Sequence, residues 1–209
     1  METLLKRSGV EAVLFDLGGV VIQFQPGDYF HRMLGMASGD PAPARWDASQ
    51  WVKEYESGRC DRLTFAAGMI EDFGLEVGPQ DFVDLFRRWP NGIFDGAAGL
   101  AQELSSHVTV GCLSNTNECH WWEQTEAETI RNLFGDHAYL SFELGVMKPG
   151  PEIYAKTQEA LDLPPEKIMF FDDRAENAAA ARNAGWQAHH VRGPAEARAV
   201  IEGLGSKIY

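Results

Sequence analysis

The sequence predicts an α/β fold: a doubly wound parallel sheet with a helical subdomain inserted after its first strand. Three observations predict it. Short apolar runs without alternation recur along the chain, as strands covered on both faces require. Helical patterns separate most of these runs, and regular strand–helix alternation builds parallel sheets. Between the first and second runs lies a long stretch of helical texture, far more than one crossover needs.

The first strand is expected at Ala12–Asp16. The stretch that follows, residues 21–94, reads as the insert, placed above the C-terminal end of that strand. In it, Leu63, Ala66, Met69, Ile70 and Phe73 share one helical face behind an N-cap at Asp61. Phe82, Leu85, Phe86 and Trp89 fall at i, i+3, i+4 and i+7 on another. A loop from Ser38 to Pro43 interrupts the insert. Residues 1–20 and 95–209 are then the core domain, and 21–94 the helical subdomain.

The core resumes with a helix at Gly96–Ser106, carrying Leu100 and Leu104, then a strand at Val108–Leu113 and another at Ala138–Ser141. Pro149 is expected to open a helix with Ile153 and Leu161 on its apolar face. The strand Ile168–Asp172 is the clearest, because Ile-Met-Phe-Phe is apolar throughout. An Ala-rich helix spans Ala175–Ala184 and stops at Gly185. Gln187–Val191 is the last strand and the weakest in pattern.

With 209 residues, 44% of them hydrophobic, the chain can bury one sizeable core. Eighteen basic residues face 31 acidic ones, for a formal charge of −13. Such a surface repels phosphate polymers, which disfavours a nucleic-acid or anionic-membrane partner. An anionic substrate would need positive charge concentrated at its site. The three cysteines, Cys60, Cys112 and Cys119, show no zinc spacing and suit a reducing cytoplasm. No signal peptide begins the chain, and no segment approaches about 18 uninterrupted apolar residues. The expectation is a soluble, cytoplasmic protein.

Ligands of such sheets bind beyond the C-terminal strand ends. Three of those ends carry polar groups: Asp16-Leu17-Gly18-Gly19, Ser114-Asn115-Thr116-Asn117 and Asp172-Asp173. Lys148 stands before Pro149. Singly, each has an ordinary reading as a turn residue, a helix cap or a solvated charge. Together they are harder to dismiss, because carboxylates at two strand ends repel one another unless a cation sits between them. Asp16 and Asp173 suit Mg2+, while Lys148 and the Ser114 hydroxyl suit an anion held against it. That is a phosphate site with a carboxylate nucleophile at its centre.

FDLGG, LSNTN, MKPGPEIY and FFDDRAEN, in this order, resemble the four motifs of the haloacid dehalogenase superfamily. The resemblance covers essentially the whole chain, including a small helical cap between the first and second motifs. It implies a Rossmann-like core and a hydrolase, similar to bacterial α-D-glucose-1-phosphate phosphatases. Similar sequences occur in the phosphatase domain of bifunctional epoxide hydrolases. On this resemblance Asp16 is the nucleophile that forms an aspartyl-phosphate. Ser114 and Asn115 bind phosphate, and Lys148 neutralises phosphate and nucleophile. Mg2+ would be held by Asp16, the Gly18 carbonyl, Asp173 and Asp172, the last directly or through water. Asn177 would orient ligands from behind. The substrate implied is a small phosphorylated metabolite, such as a sugar phosphate.

One position departs from the pattern. The usual first motif is Asp-x-Asp, whose second Asp protonates the leaving group and later activates water; here it is Gly18. Either another group serves, or the leaving group needs little help, or catalysis is slow. Two alternatives stand beside the phosphatase. A 2-haloacid dehalogenase also lacks that Asp, but needs neither metal nor the Asp172-Asp173 pair. A non-catalytic phosphate-binding module is motivated by Gly18 alone.

Other features read as structural. Trp121-Trp122, after His120, suits burial or an interface better than a substrate wall. His189-His190 reads as strand edge. Arg174 could reach substrate or pair with a carboxylate. Glu54, Glu56 and Arg59 could contact substrate from above, but a solvated helix face is the default reading.

Overall fold

The computed structural model describes residues 1–204. Seven strands form among them: β1 (Ala12–Phe15), β2 (Ile22–Phe24), β3 (Pro90–Ile93), β4 (Thr109–Ser114), β5 (Ala138–Leu140), β6 (Ile168–Asp172) and β7 (Gln187–His190). Five of them make a parallel sheet of order β5–β4–β1–β6–β7, with β1 at its centre. The chain winds outward from β1 to β5 and then returns to β6 on the other side. The doubly wound sheet expected from the sequence is therefore present, and its crevice opens beyond β1.

Both faces of the sheet are covered, which explains the runs without alternation. Val13 and Phe15 of β1 face one cluster, with Leu100, Leu104, Ile130 and Ile201 from the helices on that side. Leu14 faces the other, with Ile153, Tyr154, Phe170 and Trp186. The helix expected to open at Pro149 begins later. It spans Pro151–Leu161 with Gly150 as its N-cap, so Pro151 takes the first helical position. Pro149 stays in the loop beside Lys148.

The insert is helical, as its patterns predict, but both of its ends are strands. β2 and β3 pair antiparallel, through Ile22 with Ile93 and Phe24 with Pro90. Alternation was too short to show this ribbon in the sequence. Five helices follow between its strands: Tyr29–Met33, Ala42–Ala48, Gln50–Glu56, Arg62–Phe73 and Pro79–Arg87. Asp61 caps the fourth by accepting from the N–H groups of Leu63 and Thr64, at 2.9 and 2.8 Å. The insert has its own core, in which Phe65 is 1% exposed and packs on Trp46, Tyr55, Phe82 and Phe86. Truncating Phe65 to Ala would cost about 3–5 kcal/mol.

Candidate active site

The loops beyond β1, β4 and β6 converge under the insert, around a cavity of about 700 Å3. Asp16 leaves the end of β1, and its N–H still donates to the Phe171 carbonyl at 2.7 Å. That bond fixes its backbone while the side chain turns toward the crevice. One carboxylate oxygen accepts from the Leu17 N–H at 2.7 Å and lies 3.0 Å from the Lys148 ammonium.

Lys148 is the hub of the site. Its ammonium donates to the Leu113 carbonyl at 2.9 Å and to Asp172 at 2.7 Å, besides contacting Asp16. Burial by itself disfavours the charge, yet Asp16 and Asp172 hold its pKa above the ordinary lysine range. Asn115 fixes its backbone in two directions. The Lys148 N–H donates to the Asn115 side-chain oxygen at 2.8 Å, and the Asn115 amide donates to the Lys148 carbonyl at 2.9 Å. Both ends of the Asn115 side chain are thereby engaged. Ser114 is buried at the end of β4, with a single long contact of 3.4 Å to the Asn115 carbonyl.

Asp172 is fully buried and fully partnered. It accepts from Lys148, from the Arg174 N–H at 2.8 Å and from the Asn177 amide at 3.1 Å. Asp173, next along the chain, is only partly buried and borders the cavity. Behind it, the His190 ring contacts the Asp173 carbonyl at 3.0 Å. His190 thus supports the site from the edge strand.

Asp16, Asp172 and Asp173 each place one oxygen within 4.8 Å of the others. Burial pushes the Asp16 carboxyl up to about 7 against the pull of Lys148, and the two neighbouring carboxylates add to the rise. Burial and Asp172 raise Asp173 in the same direction. Three carboxylates thus share one ammonium. The all-oxygen donor set and its surplus negative charge fit a hard dication.

The glycines of the first loop are there for space. Gly19 has φ +71°, and a Cβ on it would collide with the Asp173 carboxylate. Gly18 needs no such backbone; a Cβ there would lie 3.0 Å from the Phe24 ring. Phe24 stacks on Trp89, and Trp89 on Phe30, at centroid separations of 4.6 and 4.5 Å. These three rings form one wall of the cavity.

Other side chains reach the cavity that the sequence did not single out. Gln124 is 6% exposed, and its amide oxygen has no partner among the described residues. His120 is buried against Phe86, donates to its carbonyl at 2.9 Å, and is held neutral by burial, with its pKa down at about 4. Glu56 overturns its solvated-face reading, for it borders the cavity and burial pushes its carboxyl up to about 8. Its neighbours Glu54 and Arg59 do pair on the surface, at 3.1 Å. Arg174 takes the carboxylate alternative, pairing with Asp47 and Glu176. Trp121 is buried, and Trp122 lies exposed under the Arg131 guanidinium. Neither borders the cavity.

A broader hollow of about 940 Å3 lies at the opposite end of the strands, against Glu11, His107 and His137. Among the described residues no group of three metal-ligating side chains forms there. No helix among them is long and apolar enough to cross a membrane.

Known proteins resemble this chain in sequence and in fold. D-ribitol-5-phosphate phosphatase of Bacteroides thetaiotaomicron is 25% identical over 190 residues, spanning 85% of this chain and 90% of that one. The solved structure of a haloacid dehalogenase family enzyme from the same organism, in complex with magnesium and inorganic phosphate, matches with a TM-score of 0.71 at 24% identity. The match covers 86% of this chain and 93% of that one. A predicted hydrolase of the same type from Porphyromonas gingivalis has a TM-score of 0.72 at 23% identity, over 91% and 98%. The family description haloacid dehalogenase-like hydrolase matches residues 10–185, from the approach to β1 to the turn after the Ala-rich helix. The chain therefore belongs to the haloacid dehalogenase-like hydrolases.

Proposed function

We propose that the protein is a Mg2+-dependent phosphomonoesterase acting on a small phosphorylated sugar or polyol. The observation that carries this reading is the buried lysine shared by Asp16 and Asp172 beside Asp173, at the cavity between the strand ends and the insert. Asp16 and Asp173, with the Gly18 carbonyl, would hold the ion. Asp172, its oxygens already engaged, would act behind them. When bound, Mg2+ neutralises charge on the phosphoryl group and on Asp16. A relative named as a D-ribitol-5-phosphate phosphatase, and a fold relative solved with magnesium and phosphate, support the same assignment.

Each residue then has a task. Lys148 favours the ionised form of Asp16 against its burial and would meet a phosphoryl oxygen, with the Ser114 hydroxyl close to the same anion. Asn115 fixes the Lys148 backbone with one amide N–H and its oxygen, and its second amide N–H is left for the phosphate. Asp16 attacks phosphorus in line, giving an aspartyl-phosphate that water cleaves. Positioning and charge neutralisation dominate such chemistry. Above the phosphate, the Phe24–Trp89–Phe30 wall suits the C–H face of a sugar or polyol. The unpartnered Gln124 oxygen suits a substrate hydroxyl, since an acceptor buried without a donor is costly.

The paired acids at the end of β6 favour this reading over a metal-independent dehalogenase. The test is release of inorganic phosphate from a panel of sugar and polyol phosphates, with Mg2+ and with EDTA. Metal-dependent turnover is expected. Turnover indifferent to EDTA, or halide release from 2-chloropropionate without any phosphatase activity, would overturn it.

A further inference from the structure

Gly18 leaves the first loop without an acid, and the Phe24 ring takes the space a side chain there would enter. A proton must still reach the leaving oxygen, because an alkoxide is a poor leaving group at neutral pH. Of the acids that line the cavity, Glu56 and Asp173 carry carboxyls without a hydrogen bond or ion pair to another described residue, and Asp173 belongs to the group that would hold the metal. Glu56 is the last residue of the helix Gln50–Glu56, in the insert, and borders the same cavity as Asp16, Gly18 and Lys148. No hydrogen bond or ion pair with another described residue occupies its carboxyl. The remaining carboxylates have other tasks: Asp47 is paired with Arg174, Asp16 lies against Lys148, Asp173 stands with Asp16 in the group that would hold the metal, and Asp172 behind them is saturated.

We propose that Glu56, from the insert, is the general acid and base that the first loop lacks. This rests on the phosphatase reading above. In the first step Asp16 forms a bond to phosphorus while the bond from phosphorus to the leaving oxygen breaks. The electron pair stays on that oxygen, which takes the Glu56 proton and departs as an alcohol. In the second step the Glu56 carboxylate takes a proton from water. The water oxygen bonds to phosphorus, the bond from phosphorus to Asp16 breaks, and inorganic phosphate leaves. Glu56 ends protonated, as it began.

The surroundings of Glu56 suit both halves of this cycle. Burial raises it most, Asp47 and Asp16 raise it further, and Arg174 and Lys148 oppose them, for a value of about 8. Lys53 and Asp173 border the same space. A dication held beside Asp16 would lower it, and a carboxyl near neutrality both donates and accepts well.

The test compares wild type, Glu56→Gln, Glu56→Asp and Asp16→Asn on D-ribitol 5-phosphate and on 4-nitrophenyl phosphate, with Mg2+. Gln matches Glu in shape, and the carboxyl holds no bond within the fold, so Glu56→Gln should fold. On the alkyl ester it should lose about 10²–10⁴-fold in kcat, the usual contribution of a positioned acid or base. The alkaline limb of the wild-type pH profile should vanish with it. On the aryl ester, whose phenolate leaves unaided, Glu56→Gln should release a burst of about one 4-nitrophenolate per enzyme and then turn over slowly. Glu56→Asp should recover part of the alkyl-ester rate. Alkyl-ester turnover within tenfold of wild type in Glu56→Gln would overturn the assignment. So would an equal loss on both esters with no burst, which a merely structural residue would give. Activity surviving in Asp16→Asn would instead overturn the covalent phosphatase reading itself.

Discussion

The Arg174 guanidinium grips the Asp47 carboxylate through two contacts, at 2.9 and 2.7 Å, across the seam between core and insert. Arg174 follows Asp173 directly, and Asp47 lies on the insert helix Ala42–Ala48. Both side chains are nearly half exposed, so the pair adds no more than about 1 kcal/mol to stability. Its effect should fall instead on how the insert is held over the cavity. Asp47→Asn is expected to leave the denaturant midpoint almost unchanged and to raise KM severalfold, more at low salt than at high. A loss of stability above about 2 kcal/mol would show that the pair is structural instead.

Asp16→Asn should end turnover and stabilise the metal-free protein. The sign follows from the raised carboxyl. A folded pKa of about 7 against an ordinary 3.8 means that ionising Asp16 is harder in the folded state. Its contribution to stability is complete below about pH 4 and is lost as pH rises through 7. Thermal melts of metal-free wild type and Asp16→Asn should therefore diverge across this range, with the variant higher at pH 8 by at least about 1 kcal/mol.

Mg2+ should reverse that loss. An ion held by the folded state alone stabilises it by about 2.7 kcal/mol at one hundred times its dissociation constant. Titration with Mg2+ at pH 8 should raise Tm in wild type and leave Asp173→Ala unmoved. A wild-type melting curve indifferent to Mg2+ would count against the site.

Lys148→Met should be the most damaging single change in the site. It leaves Asp172 buried with no cation beside it, a defect worth about 3–5 kcal/mol. Its cost should shrink at low pH, where the raised Asp16 carboxyl takes up a proton and relieves the repulsion among the carboxylates. Urea unfolding at pH 5 and pH 8 measures the difference.

Gln124→Leu should separate stability from binding. It removes an amide whose oxygen has no partner, so the free protein should gain up to about 1 kcal/mol. If that oxygen meets a substrate hydroxyl, KM for a polyol phosphate should rise about tenfold, with KM for 4-nitrophenyl phosphate little altered. Equal effects on both substrates would assign Gln124 to the fold alone.

The core was legible from the sequence because it rests on local signals. Ile168–Asp172 forms as expected, since nothing but burial on both faces explains Ile-Met-Phe-Phe before two acids. Asp61 and the helix after it follow from capping and period alone. The grouping of Asp16, Lys148, Asp172 and Asp173 was legible as a charge argument, although these residues are far apart in sequence. Glu56 was not. On its helix, next to Glu54 and Lys53, it carries no local mark that distinguishes a cavity wall from solvent. Gln124 and His120 were hidden for the same reason, as was the ribbon, whose β2 is only three residues long.

The ribbon has a consequence of its own. Because β2 and β3 run side by side, the insert leaves the sheet domain and returns to it at almost the same point. Whatever lies between Phe24 and Pro90 can lengthen, shorten or be exchanged without rethreading the strands that hold Asp16, Lys148 and Asp173. The apparatus that breaks the ester and the apparatus that chooses it can therefore diverge at different rates. If the proton donor belongs to the second of these, changing the preferred substrate also changes the acid that releases it.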